Sequence, residues 1–281
     1  MIWIKNLNKP RQERGFSVLK GGEQNMMSEN AMLIRSQRAA SPEAQARKLA
    51  GSIYPNVFKP YARSFYNRDN LWERRLQVSI LNKQPIQMIG FWGIGGKQKL
   101  DRHDESLLAE YEAIREAIEK KSVEGRHPPA VDMMLILANA HGRFNGYQDF
   151  DGYLGAIAFE ASKRGISSVS LDDLYRDWNL NLPNSQSVID RQSSEWREFS
   201  KSRRFGQLVE SAEKHSQVGI AAEDSAFHYW MMRRQEREPL AQSFSNAILL
   251  VNGSEDLGRE VLPLNMPHMY MKVGPVWFQH D

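Results

Sequence analysis

Apolar residues along the chain fall into short continuous runs, and between them lie stretches with apolar positions at helical spacing. "PIQMIGFWG" is apolar and bounded by turn residues, as a buried strand should be. Leu107, Leu108, Tyr111, Ile114, Ala117 and Ile118 then recur at the period of a helix, with Asp104 as its expected N-cap. "GRHPPA" stops that helix and "VDMMLILAN" is the next buried run. Tyr153, Leu154, Ile157, Ala158 and Ala161 mark a second helix, closed by Gly165, and "ISSVSL" follows as a third strand. Strand, helix, strand, helix, strand with short connections predicts a parallel sheet with right-handed crossovers.

The flanking segments extend this pattern. Residues 46–81 mix aromatic and basic positions and read as helical, with breaks at Pro55 and Pro60. Residues 186–217 are polar and helical in tone, Ala221 to Arg237 is a helix, and "NAILLV" is a further strand. "MPHMYMKVGPVWF" resembles the end strands of a mixed sheet, where proline limits pairing. The expected fold is therefore α/β: a Rossmann-like, mainly parallel sheet with flanking helices and a mixed C-terminal part. Residues 45–281 form its single domain. Residues 1–44, where basic residues outnumber acidic ones and core-forming residues are scarce, read as a flexible basic arm.

Composition narrows the function classes. A chain of 281 residues with 41% hydrophobic and 25% charged residues is ordinary for a soluble globular protein, and no apolar run approaches the roughly 20 residues of a membrane span. The absence of cysteine excludes disulfides, thiolate metal sites and cysteine nucleophiles, and suits the cytoplasm. Net charge is +3 and the pI about 9.0, which favours an anionic partner such as a phosphorylated metabolite or RNA. The histidines lack metal-ligand spacing, so no metal and no cofactor are expected.

In an open parallel sheet ligands sit outside the carboxyl ends of the strands, which singles out "GFWGIGGKQK" and "ANAHGRFNGYQDFD". The first has neither the Walker nor the dinucleotide glycine spacing, so it is not a nucleotide cradle. Gly93 and Gly95 allow close backbone approach, and Lys97 supplies a phosphate contact or an amine nucleophile. The second crowds Asn139, His141, Arg143 and Asn145 after a wholly apolar strand. Histidine moves protons near neutral pH, arginine forks onto a carboxylate or phosphate, and asparagine orients an amine or carbonyl. Lys97, Asn139, His141, Arg143 and Asn145 are expected to converge on one pocket. There Lys97 would sit in a cationic field that lowers its pKa. On the helix "EDSAFHYWMMRRQEREPL", Tyr229, Arg233 and Glu236 or Arg237 share one face by steps of three and four.

The order of these blocks resembles the isonitrile synthase family, also called the pyoverdine/dityrosine biosynthesis proteins. Its lysine-bearing loop, acidic helix start, strand-end loop, "AYxxxRxxE" helix and C-terminal strands are matched by Lys97, "HDESLLAEYEAIREAI", "VDMMLILANAHGRFNGY", "FHYWMMRRQEREPLAQSFSNAILLV" and "VGPVWF". The resemblance covers roughly Pro85 to Phe278 and rests on order and spacing. Asn139-Ala140-His141-Gly142 stands where the family has Ser-Asp-Gly, and "LLVNG" where it has "LSIHP". It implies an enzyme that converts the amino group of an amino acid to an isonitrile, with a phosphorylated sugar as carbon donor. Lys97 would then attack the sugar ketone, His141 shuttle protons, and Arg143 or Arg233 hold phosphate or carboxylate. The alternative is an aminoacyl transferase of the cyclodipeptide synthase type, with tRNA as partner and Tyr229 and Glu236 handling the substrate amine. The glycine loop lacks the serine nucleophile usual there. A homodimer is compatible with either reading.

Overall fold

The computed structural model describes residues 41–93, 97, 99–121, 129–144, 150–181, 194–215, 221–253 and 255–272. The basic arm up to residue 40, Gly95, Asn145 and the C-terminal "VGPVWF" lie outside the described residues. The first helix among the described residues begins at Pro42.

Helix α1 (Pro42–Ile53) is followed by strand β1 (Ala62–Tyr66), helix α2 (Leu71–Leu81) and strand β2 (Ile86–Trp92). Helix α3 (Arg102–Glu119), strand β3 (Val131–Leu137), helices α4 (Asn139–Phe144) and α5 (Phe150–Lys163) and strand β4 (Ser167–Ser170) come next. Then follow α6 (Leu171–Asp177), α7 (Ser194–Phe199), α8 (Arg203–His215) and α9 (Ala222–Ser243), strand β5 (Ile248–Val251), α10 (Glu255–Val261) and β6 (His268–Met271). The six strands form one sheet in the order β1-β6-β5-β2-β3-β4. All pairings are parallel except that of β1 with β6.

The expected strands at 86–92, 131–137, 167–170 and 248–251 are all present. β1 is not the helix expected from residues 46–81: "ARSFY" buries Ala62 and leaves its other side chains partly or fully exposed, as an antiparallel edge strand does. β6 is interior, between β1 and β5, because Pro267 falls just before the pairing begins. Helix α9 runs past Arg237 to Ser243 and contains Pro239.

The sheet is covered on both faces. One face packs Met88 and Trp92 against α1, α2, α3 and α5, with Trp72, Tyr111 and Tyr153 fully buried. The other packs Ile89, Ile136 and Leu249 against α6 to α10, where Trp196 meets Phe227 at 4.2 Å between ring centroids. No helix among the described residues is long and apolar enough to cross a membrane.

Gly90 sits beneath Tyr111, and a Cβ there would lie 2.8 Å from the phenol oxygen. Gly90→Ala should cost about 1–3 kcal/mol through overpacking, read as a lower denaturation midpoint at unchanged slope. An unshifted midpoint would show that Tyr111 yields freely.

His268 is wholly buried in β6, bonded to the Pro263 carbonyl at 2.8 Å and close to Tyr270 OH at 3.2 Å. Burial pushes its pKa down to about 4 from 6.5. The folded state therefore resists protonation that the unfolded chain accepts. Its stabilisation is complete above pH 6.5 and lost as pH falls towards 4, at up to about 1.4 kcal/mol per unit. Urea titrations across that window should show this slope, flattened in His268→Gln. A wild-type curve level from pH 6.5 to 4.5 would contradict it.

Candidate active site

Strand β2 has β3 on one side and β5 on the other. The chain therefore reverses its direction of travel across the sheet at β2, and the carboxyl ends of these strands are where such folds bind ligands. Three sets of polar side chains stand there.

The first follows β2. Gly93 ends the strand, and a Cβ there would fall 2.6 Å from that of Ala138. Its glycine is thus required by the close approach of the β2 and β3 ends. Beyond it, Lys97 Nζ lies 2.8 Å from both Asp101 Oδ2 and Asp104 Oδ2. Asp101, not Asp104, is the N-cap of α3. Its carboxylate accepts from the amides of His103 and Asp104, while Asp104 accepts in return from the Asp101 amide at 3.0 Å. Asp104 is 1% exposed and also accepts from Tyr153 OH at 2.8 Å, and Trp92 Nε1 donates to that phenol at 3.1 Å. Burial and the Asp104 charge push the Tyr153 pKa far above its usual value, so the phenol stays a donor. Burial works to raise the Asp101 pKa, but its hydrogen bonds and the Lys97 charge prevail and hold it below the usual range. The expected cationic field around Lys97 is thus replaced by an anionic one. The helix start supplies both carboxylates, and the lysine folds back onto it instead of towards the next loop.

The second set joins β3 to the opposite-face helices. His141 Nε2 lies 2.6 Å from Glu236 Oε1, which also accepts from Tyr175 OH at 2.8 Å. Arg233 Nη1 donates to Glu236 Oε2 at 2.7 Å, and its guanidinium stacks 3.8 Å from the Phe91 ring centroid. Tyr229 meets the His141 ring edge-on at 5.8 Å. Burial would raise the Glu236 pKa, yet the His141 and Arg233 charges and the hydrogen bonds from His141 and Tyr175 outweigh it and hold it below 4.5. Burial first, then the Glu236 charge, drives the Tyr175 pKa far up. With Nε2 committed to Glu236, the imidazole retains Nδ1 for proton exchange, and among the described residues that nitrogen has no hydrogen-bond partner. Arg233 Nε is buried and also lacks one.

The third set is Asn139, Ser170, Asp172 and Arg143. Asn139 Nδ2 donates to Ser170 Oγ at 2.8 Å and to Asp172, and Arg143 pairs with the same Asp172 carboxylate and lies 3.6 Å from Asp151. Asn139, His141 and Arg143 share α4, a short helix where a loop was expected. Asn139 and Arg143 thus belong with Asp172, and His141 with Glu236, Arg233 and Tyr229. No hydrogen bond, ion pair or ring contact among the described residues joins Lys97 to either set. Asp101, Tyr153, Asp172 and Tyr175 were not expected from the sequence. The last two follow β4 directly, so the rule that drew attention to the ends of β2 and β3 applies to them equally.

No protein-family model matches the chain, and no curated protein does. Among solved structures it is similar to the PvcA protein from Pseudomonas aeruginosa, with a TM-score of 0.55 at 12% identity, over 82% of this chain and 84% of that one. At this identity what the two share is the fold: an α/β chain built on a mainly parallel sheet with flanking helices.

Proposed function

We propose that the protein is a biosynthetic enzyme of the isonitrile synthase type, which joins the amino group of an amino acid to a carbon from a phosphorylated sugar. The observation that carries this reading is the His141–Glu236–Arg233–Tyr175 network at the carboxyl ends of the central strands. It is buried, charged and costly to assemble, and it combines a proton-exchanging imidazole with a guanidinium that still has a free donor. The order of sequence blocks and the fold shared with PvcA support the same direction.

In this reading Arg233 takes the carboxylate of the amino acid and His141 moves protons at Nδ1, its ring held by Glu236. Lys97 passes a proton to the adjoining Asp101 and attacks the sugar ketone: its free amine adds to the carbonyl carbon, the oxygen leaves as water, and an imine remains. Asp104 and Tyr153 position the lysine for this step. Arg204 and Arg234 are paired with Glu260 and Glu195, and Arg233 with Glu236, so these arginines are not a free cationic stripe of the kind an RNA backbone requires. For these three positions that favours small-molecule chemistry over the tRNA-dependent alternative.

Incubation with tyrosine or tryptophan and carbon-13 ribulose 5-phosphate, followed by mass spectrometry, is expected to give a product bearing one labelled carbon on the amino nitrogen. Unlabelled product with every amino acid tried, together with co-purified tRNA, would overturn the reading in favour of aminoacyl transfer.

A further inference from the structure

A second concavity lies at the opposite end of the sheet. Its walls come from the turn after β1, the start of α2, the last turns of α9 and the segment that leads into β6. β1 runs antiparallel to β6, so the turn after β1 and the segment before β6 meet at the amino ends of the parallel strands. The cleft has a volume of about 580 Å³.

Arg237 lines it and is half-buried. Among the described residues its guanidinium has no hydrogen bond and no ion pair. The nearby acids are committed elsewhere. Glu260 holds Arg204 and Arg234, Glu195 holds Arg234, Asp69 sits 3.4 Å from Arg68, and Glu238 accepts from Gln242 at 3.1 Å. Glu260 and Glu195 act on Arg237 only from beyond ion-pair distance, so its guanidinium donors stay unshared and can fork onto an anion in the cleft. Asp69 in the lining and Asn70 next in sequence both have left-handed backbone angles, at φ 54° and 57°. Leu71, Ala241, Pro263 and Leu264 supply apolar surface in a lining that Arg68, Asp69, Glu238, Gln242 and Asn265 complete.

We propose that this cleft is a second ligand site, taking a small molecule with an oxyanion on Arg237 and an apolar body against Leu71, Ala241 and Leu264. The oxyanion is a carboxylate or a phosphate ester, since a guanidinium fork accepts both. The site shares no residue with the candidate active site, although Arg237 directly follows Glu236 on α9.

Calorimetric titration of the full-length protein with phenyl phosphate and with benzoate, at low ionic strength, tests this. Saturable binding of at least one is expected, and which one binds names the source of the oxyanion. Arg237→Gln should weaken it about tenfold or more, whereas Lys97→Arg should leave it unchanged. Leu264→Glu, which places a carboxylate in the lining, should also abolish it and serves if Arg237→Gln does not fold. Absence of saturable binding by either probe, or binding indifferent to both Arg237→Gln and Leu264→Glu, overturns the proposal. Because Lys97→Arg is expected to bind normally, failure of this site and failure of the proposed chemistry are separable.

Discussion

Replacing Glu236 with leucine is expected to lower stability by about 3–5 kcal/mol, a large share of what a folded domain has to lose. Glu236 is 1% exposed and receives hydrogen bonds from His141, Tyr175 and Arg233. Without it, Arg233, itself 5% exposed, is left as an uncompensated charge against Phe91. The loss should appear as a lower urea midpoint. Adding Arg233→Met should restore part of it, because the double change removes both charges together. The pH dependence follows from the depressed Glu236 pKa. The carboxylate's contribution is present above its ordinary value of 4.5 and is lost as pH falls through the lower folded value. Glu236→Gln should therefore flatten the acid limb of the stability curve. Strict additivity in the double variant would show that the pair is not energetically coupled.

Lys97→Arg is expected to reduce kcat/KM by at least about a hundredfold while changing stability by no more than about 1 kcal/mol. Arginine keeps a cation between Asp101 and Asp104 but cannot form an imine with a ketone. Borohydride should trap labelled sugar phosphate on the wild-type lysine and not on the variant. Tyr153→Phe is a graded companion. It removes one donor from buried Asp104, so trapping should slow without being lost. Near-normal turnover by Lys97→Arg would leave the residue a binding or structural role only.

Much of the fold was legible because the inner strands are buried on both faces and bounded by turn residues. Ile86–Trp92 and Val131–Leu137 are apolar runs interrupted only by Gln87 and Asp132 near their starts. The same logic missed β1, whose exposed, basic and aromatic side chains carry no strand period. The helix face that joins Arg233 to Glu236 was visible as an i, i+3 step, and the structure makes it an ion pair.

The chain alone determined the succession of strands and helices and the placing of polar groups just after apolar strands. These are local matters, set by side-chain period, turn residues and caps. Tertiary structure decided the partners. Whether Lys97 faces arginines or aspartates depends on its meeting the start of α3, and His141 finds Glu236 across 95 residues of sequence. Tyr175 and Tyr153 join these networks from α6 and α5 because crossover helices pack on particular faces of the sheet. Such encounters are selected by packing of the whole core and by the cost of leaving a buried charge unpaired, and no local pattern encodes either.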